Sequence, residues 1–245
     1  REMGRLADLV GRLLDLDRIE EAEAAAREAG EHELLPLADL FISHGHGAIA
    51  ERLVRERLRT TQNVHVMQLM EWLKRYVERR GDLAEALSFA ESLFWQRPWL
   101  AGYNEVKRLA QATGQWDDRR PALLEELAGK GSYGLLTEIH LEEGEIAEAL
   151  KTLPQARADR GWWGTDLTIK TAQAAEARFP RDAIRLYMER INGLIEARGR
   201  GNYAAAATYP PARTRAASTA GRARTVARTH PHRARGQPQA PCSAG

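Results

Sequence analysis

Cysteine is almost missing from this chain: 245 residues hold one, Cys242. That excludes an intrachain disulfide and any zinc site built on two or more thiolates. A reducing, cytoplasmic home is expected. Long apolar runs are missing too. No stretch approaches the roughly 20 apolar residues that a membrane helix needs, so no membrane partner is expected. The first residues, REMGRLADLVGRLLDLD, lack the basic-then-apolar layout and small-residue cleavage site of a secretory leader. No segment alternates apolar and polar residues at period two, so no strand is predicted. Catalytic signatures are absent: there is no G-x-S-x-G, no P-loop, no dinucleotide fingerprint and no Ser/His/Asp order. No enzyme activity is expected and no catalytic residue is nominated.

Charge is scarce in one sign only locally. Residues 210–245 hold seven of the 36 basic residues and none of the 34 acidic ones, which leaves 29 basic against 34 acidic residues in 1–209. The body is therefore mildly acidic and gives no electrostatic reason to bind nucleic acid.

What is present is a repeated sentence. HGHGAIAERL (44–53), RGDLAEALSFAESLFWQRP (80–98), TGQWDDRRPALLEEL (113–127) and EGEIAEALKTLP (143–154) each run from glycine through polar residues into an Ala/Leu-rich stripe. The glycines taken as equivalent are Gly47, Gly81, Gly114 and Gly144, spaced by 34, 33 and 30 residues. A helical period in that range marks stacked helix hairpins, so the predicted fold is all-α, a solenoid of such hairpins.

Helices are predicted over 3–14, 17–29, 33–43, 47–59, 62–80, 83–96, 99–112, 118–128, 133–143, 145–152, 166–178 and 181–198. Asp17 is expected to cap the second with Glu20 in capping-box position, and Gly30 to end it. Pro36 is expected in the first turn of the third helix. The 62–80 segment carries Val66, Met70, Leu73 and Val77 on one face and Leu69, Trp72 and Tyr76 on the next. So wide an apolar surface suits a helix packed on two sides. Gly81 and Asp82 read as a tight joint, glycine closing one helix and aspartate capping the next.

GDLAEALSFAESLFWQRP resembles the second half of a tetratricopeptide unit, with Gly81, Asp82, Ala86, Ala90 and Pro98 in the characteristic places. More narrowly, RLVRERLRT, EWLKRYVERRGDLAEAL, LLTEIHLEEGEIAEALKTL and FPRDAIRLYMERINGLIEARGRGNYAAAATY resemble the helical C-terminal half of bacterial SWIM zinc-finger proteins, over roughly residues 15–209. That family is defined by Cys-x-Cys followed, after a spacer, by Cys-x-His, which binds zinc. Nothing of the kind occurs here, so no metal or cofactor residue is carried over. The resemblance implies a finger upstream of Arg1, with zinc and any contact to DNA or protein through the finger belonging there.

From Pro210 the chemistry changes. The last 36 residues contain no Leu, Ile, Asp, Glu, Lys, Phe, Trp or Tyr, and five of the ten prolines. Three readings stand side by side: a disordered basic tail, an arginine-rich nucleic-acid arm, or a frameshift near Tyr209. Read one nucleotide along with GC-rich codons, THPHRARGQPQAPCSAG yields LIRTVREANRKLRALR, an amphipathic helical peptide of the kind the family resemblance would continue with. On that reading Cys242, His230 and His232 have no native role. The expected division is an α-helical repeat domain over 1–209 and this tail over 210–245.

Other residues invite a functional role. His44 and His46 flank a glycine; a metal would need further ligands, and a turn with solvated or capping histidines is the expectation. His140 is placed on a packed helix face. Trp95, Trp99, Tyr103 and Trp116 are expected to fill space between hairpins. Glu142, Glu143, Glu145 and Glu148 read as a solvated, ion-paired face. Trp162 and Trp163, between two glycines in a long connection over 154–165, are the candidate partner-binding residues. The expected function is a non-catalytic protein–protein interaction scaffold that offers a concave surface to a protein or peptide. The alternative is a nucleic-acid-binding accessory protein acting through the arginine-rich tail.

Overall fold

A computed structural model describes residues 3–61, 65–158 and 164–196. The described residues form helices and connections, with no strand among them. The helices are α1 (Met3–Asp15), α2 (Ile19–Arg27), α3 (Glu31–Ser43), α4 (Gly47–Thr60), α5 (Val66–Arg79), α6 (Leu83–Gln96), α7 (Leu100–Ala112), α8 (Trp116–Gly129), α9 (Tyr133–Glu142), α10 (Ile146–Ala158), α11 (Gly164–Ala175) and α12 (Pro180–Glu196). The chain divides into two compact units, Arg1–Ile139 and His140–Gly245.

One local device recurs at the helix ends. At Asp17, Gly45, Gly81, Gly114, Gly131 and Gly144 the backbone turns left-handed. In each case that residue's N–H bonds a carbonyl three residues back, and the next N–H bonds one five back. At the Gly81 joint these bonds are Gly81 to Glu78 at 2.9 Å and Asp82 to Val77 at 3.0 Å. This is the Schellman closure, which satisfies carbonyls that the helix end would leave bare. At Gly81 φ is +85°, a conformation that costs glycine little because it has no Cβ. Asp82 then starts α6, its carboxylate accepting from the Glu85 N–H at 3.0 Å, as predicted.

Several expectations are corrected here. The left-handed residue of the first repeat is Gly45, while Gly47 opens α4. Gly47 instead makes room, since a Cβ there would stand 2.7 Å from the Tyr76 hydroxyl. Asp17 does not cap α2. It takes the left-handed joint position itself at φ 56°, and Arg18 holds the cap position without a side-chain hydrogen bond. Short polar side chains tolerate this conformation better than most. Gly30 does not end α2; it is the N-cap of α3, and Glu33 reaches back to accept its N–H at 3.1 Å. Pro36 and Pro154 both lie inside their helices. The α10 helix runs on through Pro154 to Ala158, held by the buried Leu153 and Ala156 on either side of the proline.

The first unit has two apolar clusters. Val10, Leu34, Phe41, Val54, Leu69, Trp72 and Leu73 belong to one, gathered from α1–α5. Val77, Leu87, Phe94, Tyr103, Leu109, Leu127 and Ile139 belong to the other, gathered from α5–α9. The α5 helix thus packs on two sides, as its wide apolar surface requires. In the second unit α11 packs against both α10 and α12. Leu153, Leu167, Ala172, Leu186 and Tyr187 are buried there. The Tyr187 hydroxyl donates to Glu176 at 2.8 Å.

Several polar links across the first unit join helices of like parity, while Gln96 of α6 meets Met70 of α5 and Arg80, at the end of α5, meets Glu51 of α4. Even helices join even ones: Glu23 of α2 to Arg52 of α4, Arg55 of α4 to Glu85 of α6, and Glu91 of α6 to Arg119 of α8. Odd helices join odd ones: Asp39 of α3 to Trp72 of α5, and Lys74 of α5 to Glu105 of α7. The partners in these like-parity links stand 28 to 33 residues apart, which matches the glycine spacing read from the sequence. Within the second unit Arg157 of α10 meets Glu189 of α12, 32 residues on.

Candidate functional site

A cleft of about 430 Å3 opens between α5, α6 and α7 in the first unit. Helical spacing builds it. Met67, Glu71 and Lys74 share one face of α5, and Ala90 and Phe94 stand one turn apart on α6. Trp99, the N-cap residue of α7, is followed on that helix by Gly102 and Glu105. The small residues Ala90 and Gly102 leave the gap, and larger neighbours stand around it. A Cβ on Gly102 would lie 3.2 Å from the Phe94 ring and 3.5 Å from Trp99.

The floor is apolar: Phe94, Ala90 and Leu93 are buried. One wall is ionic. Lys74 is only 7 % exposed, and its Nζ stands 3.0 Å from carboxylate oxygens of both Glu105 and Glu71. Glu105 also accepts two hydrogen bonds from Arg108, both at 2.9 Å, and Arg108 reaches Glu78 at 2.7 Å. The hydrogen bonds from Arg108 hold the Glu105 carboxyl down to about 2; burial opposes this, and Lys74 adds to it. Burial pulls the Lys74 ammonium toward a lower pKa, but its bonds to Glu105 and Glu71 outweigh that and leave it raised. Its lone pair is therefore protonated at neutral pH, which suits neither a nucleophile nor a general base. The wall is built to hold charge in place.

Trp99 is the residue whose predicted role changes. It stands 38 % exposed at the lip of the cleft, with the Arg97 guanidinium 5.8 Å from its ring centroid. Tyr103 is fully buried and meets Trp116 edge-on at 5.5 Å; Trp95 packs edge-on against Phe94 at 4.9 Å. The sequence contained two signals for the cleft: alanine and glycine set among aromatics at 90–102, and a lysine on the apolar side of the 62–80 helix.

The other nominated residues fall elsewhere. His44 ends α3, its Nδ1 2.9 Å from the Leu40 carbonyl and its Nε2 3.2 Å from Asp15, which makes it a capping residue. His140 is buried on its helix, its Nδ1 2.8 Å from Glu145. Glu148 pairs with Lys151 at 2.7 Å. Among the described residues no three His, Cys, Asp or Glu side chains converge as a metal site. No helix among them is long and apolar enough to cross a membrane. Trp162 and Trp163 lie outside the described residues, as does the whole 210–245 tail with His230, His232 and Cys242.

No protein-family model matches the chain, and no curated protein matches it. The likeness to SWIM proteins rests on the sequence segments alone.

Proposed function

We propose that this chain is a non-catalytic interaction scaffold, a tetratricopeptide-like array of helix hairpins, and the helical part of a SWIM zinc-finger protein. It offers the α5–α6–α7 cleft to a peptide segment of a partner protein. The cleft carries the reading: it is open and apolar, it has an exposed tryptophan at its lip, and its ionisable groups are locked in pairs. Exposed tryptophans beside apolar pockets are common binding anchors. The array itself is supported by the recurring left-handed joints and by the odd-to-odd and even-to-even links near one repeat length. In such an array each hairpin touches its neighbours, and the layers present continuous surfaces without any reaction.

The test is selection of random displayed peptides on the full chain, followed by calorimetry with the wild type and Trp99→Ala. The expected result is a shared peptide motif that binds tighter than about 100 µM and is weakened at least about tenfold by the substitution. Failure to enrich any motif overturns the reading. So does strongly salt-dependent nucleic-acid binding that disappears on deleting residues 210–245, the outcome the alternative function requires. The isolated chain is expected to hold no stoichiometric zinc, and one tightly bound zinc per chain by elemental analysis sinks that expectation.

A further inference from the structure

The ionic wall of the cleft is not neutral. Lys74 faces the two carboxylates Glu71 and Glu105, and Arg108 is shared between Glu105 and Glu78. Three carboxylates and two cations leave one negative charge. Both cations are committed: Lys74 is buried between its partners, and Arg108 makes two bonds to Glu105 and one contact to Glu78. Glu71 differs. Its side chain is 45 % exposed, so the carboxylate paired with Lys74 is still open to solvent. At the Trp99 lip the Arg97 cation is already over the indole ring. An acidic group entering beside the α5 wall would meet carboxylates whose cations inside the cleft, Lys74 and Arg108, are already paired. A basic group would find Glu71.

Building on the scaffold reading, we infer that the cleft receives a bulky apolar side chain of a partner peptide whose neighbouring residue is lysine or arginine. The apolar side chain lies on Phe94, Leu93 and Trp99, and the cation pairs with Glu71. A volume of about 430 Å3 falls within the range of pockets that enclose small ligands, and so has room for one bulky side chain. Charge of the right sign beside an apolar anchor supplies register and selectivity more than raw affinity.

Two nine-residue probes test this against the full chain: a Gly/Ser frame with central phenylalanine flanked by lysines, and the same frame flanked by glutamates. Titrations are followed by amide and indole NMR signals, with the Trp99 indole assigned from Trp99→Phe. The lysine probe is expected to shift Trp99 and Gly102 signals and to bind about five- to tenfold tighter than the glutamate probe. Glu71→Gln is expected to bring the two within about twofold, because it removes the charge and keeps the shape. Gly102→Leu fills the cleft and abolishes both titrations. Trp99→Ala alters only the exposed lip, so it gives the same answer where Gly102→Leu does not fold. Equal binding of the probes at Trp99, or preference for the glutamate probe, overturns the inference while leaving the scaffold reading standing. Shifts confined to other helices remove the cleft but not the scaffold. If neither probe binds while displayed peptides of another composition do, the charge rule fails alone; if no peptide binds at all, both readings fall.

Discussion

The α5 helix meets its neighbours of like parity in two different ways. Toward α3 the link is aromatic: the Trp72 indole donates to Asp39 at 2.8 Å, and Tyr76 stacks on Trp72 at 5.2 Å with the rings 7° from parallel. Only about 40 Å3 of space remains beside Asp39, Trp72 and Tyr76. Toward α7 the link is a lysine reaching Glu105, and the space is about 430 Å3. Both links span nearly the same length of chain, 33 residues in one case and 31 in the other. The same architectural position is closed by a wide flat side chain and left open by a long thin one. On the proposed hairpin array, an open cleft can arise from one exchanged residue type at a recurring contact, with no change in backbone plan.

The largest expected effect lies on the closed side. Trp72 is buried and joins the first apolar cluster. Trp72→Ala is expected to cost about 3–5 kcal/mol, through lost apolar burial and the cavity left behind. Chemical denaturation read by far-ultraviolet circular dichroism checks this. A loss below about 1 kcal/mol would mean that the closed contact is no more needed than the open one.

Lys74 sharpens the contrast. Its buried stem and paired head predict that Lys74→Ala costs about 1–3 kcal/mol, because it leaves a void and loosens Glu105. Lys74→Met keeps the volume and removes the charge, and is expected to cost less than about 1 kcal/mol, since Glu105 retains Arg108 and Glu71 is exposed to water. Equal losses for both variants, measured by the same denaturation curves, would show that the ion pairs rather than the stem hold α5 to α7.

These two contacts also show what could be read before the structure. The twelve helices among the described residues were legible because glycine joints and Ala/Leu stripes are local signals. The two-sided packing of α5 was legible because its apolar surface is too wide for one neighbour. Gly47 was taken for Gly45 because two glycines two positions apart satisfy the same pattern, and only the hydrogen bonds at the helix end decide between them. Asp17 was misread because aspartate is both a good N-cap and a tolerable left-handed residue. Helix α10 was ended early, at 152, just before Pro154, yet a proline removes one bond without forbidding a helix that packing sustains. The cleft was not read, although alanine and glycine among aromatics at 90–102 and a lysine on the apolar side of the 62–80 helix were there to signal it. Lys74 gains a role only when Glu105, 31 residues away, is placed beside it. Trp99 reads as core until the small side chains around it leave its edge bare.

Acid should expose the open side's electrostatics. Glu105 is held at about 2 against an ordinary 4.5. A depressed folded-state pKa contributes stability that is complete above about 4.5 and is lost as the pH falls toward about 2. Glu105→Gln lacks this contribution. The gap in denaturation midpoint between wild type and variant is therefore expected to be widest above pH 5 and to shrink steadily into acid. A gap that stays constant from pH 6 to pH 3 would mean that Glu105 acts by shape alone.

The smallest expected effect lies between α1 and α3. Both ring nitrogens of His44 face acceptors, the Leu40 carbonyl and the Asp15 carboxylate. A neutral imidazole has one N–H, so only the imidazolium satisfies both. The pKa is accordingly raised above 6.5, first by the bond to the Leu40 carbonyl and then by the bond to Asp15. A raised folded-state pKa contributes stability that is complete below the unfolded value and is lost as the pH rises through the folded one. His44→Gln supplies a single N–H-bearing group and does not titrate. Its melting temperature is expected to fall below wild type at pH 5.5 and to converge with it at pH 8.5, with the His44 ring signals titrating above 6.5 by NMR. The contact is exposed, so the difference will be a small one and will fade with added salt. An Asp15→Asn variant that leaves the His44 titration unmoved would assign the shift to the helix-end carbonyl alone, and α1 would then be held to α3 by apolar packing without help from charge.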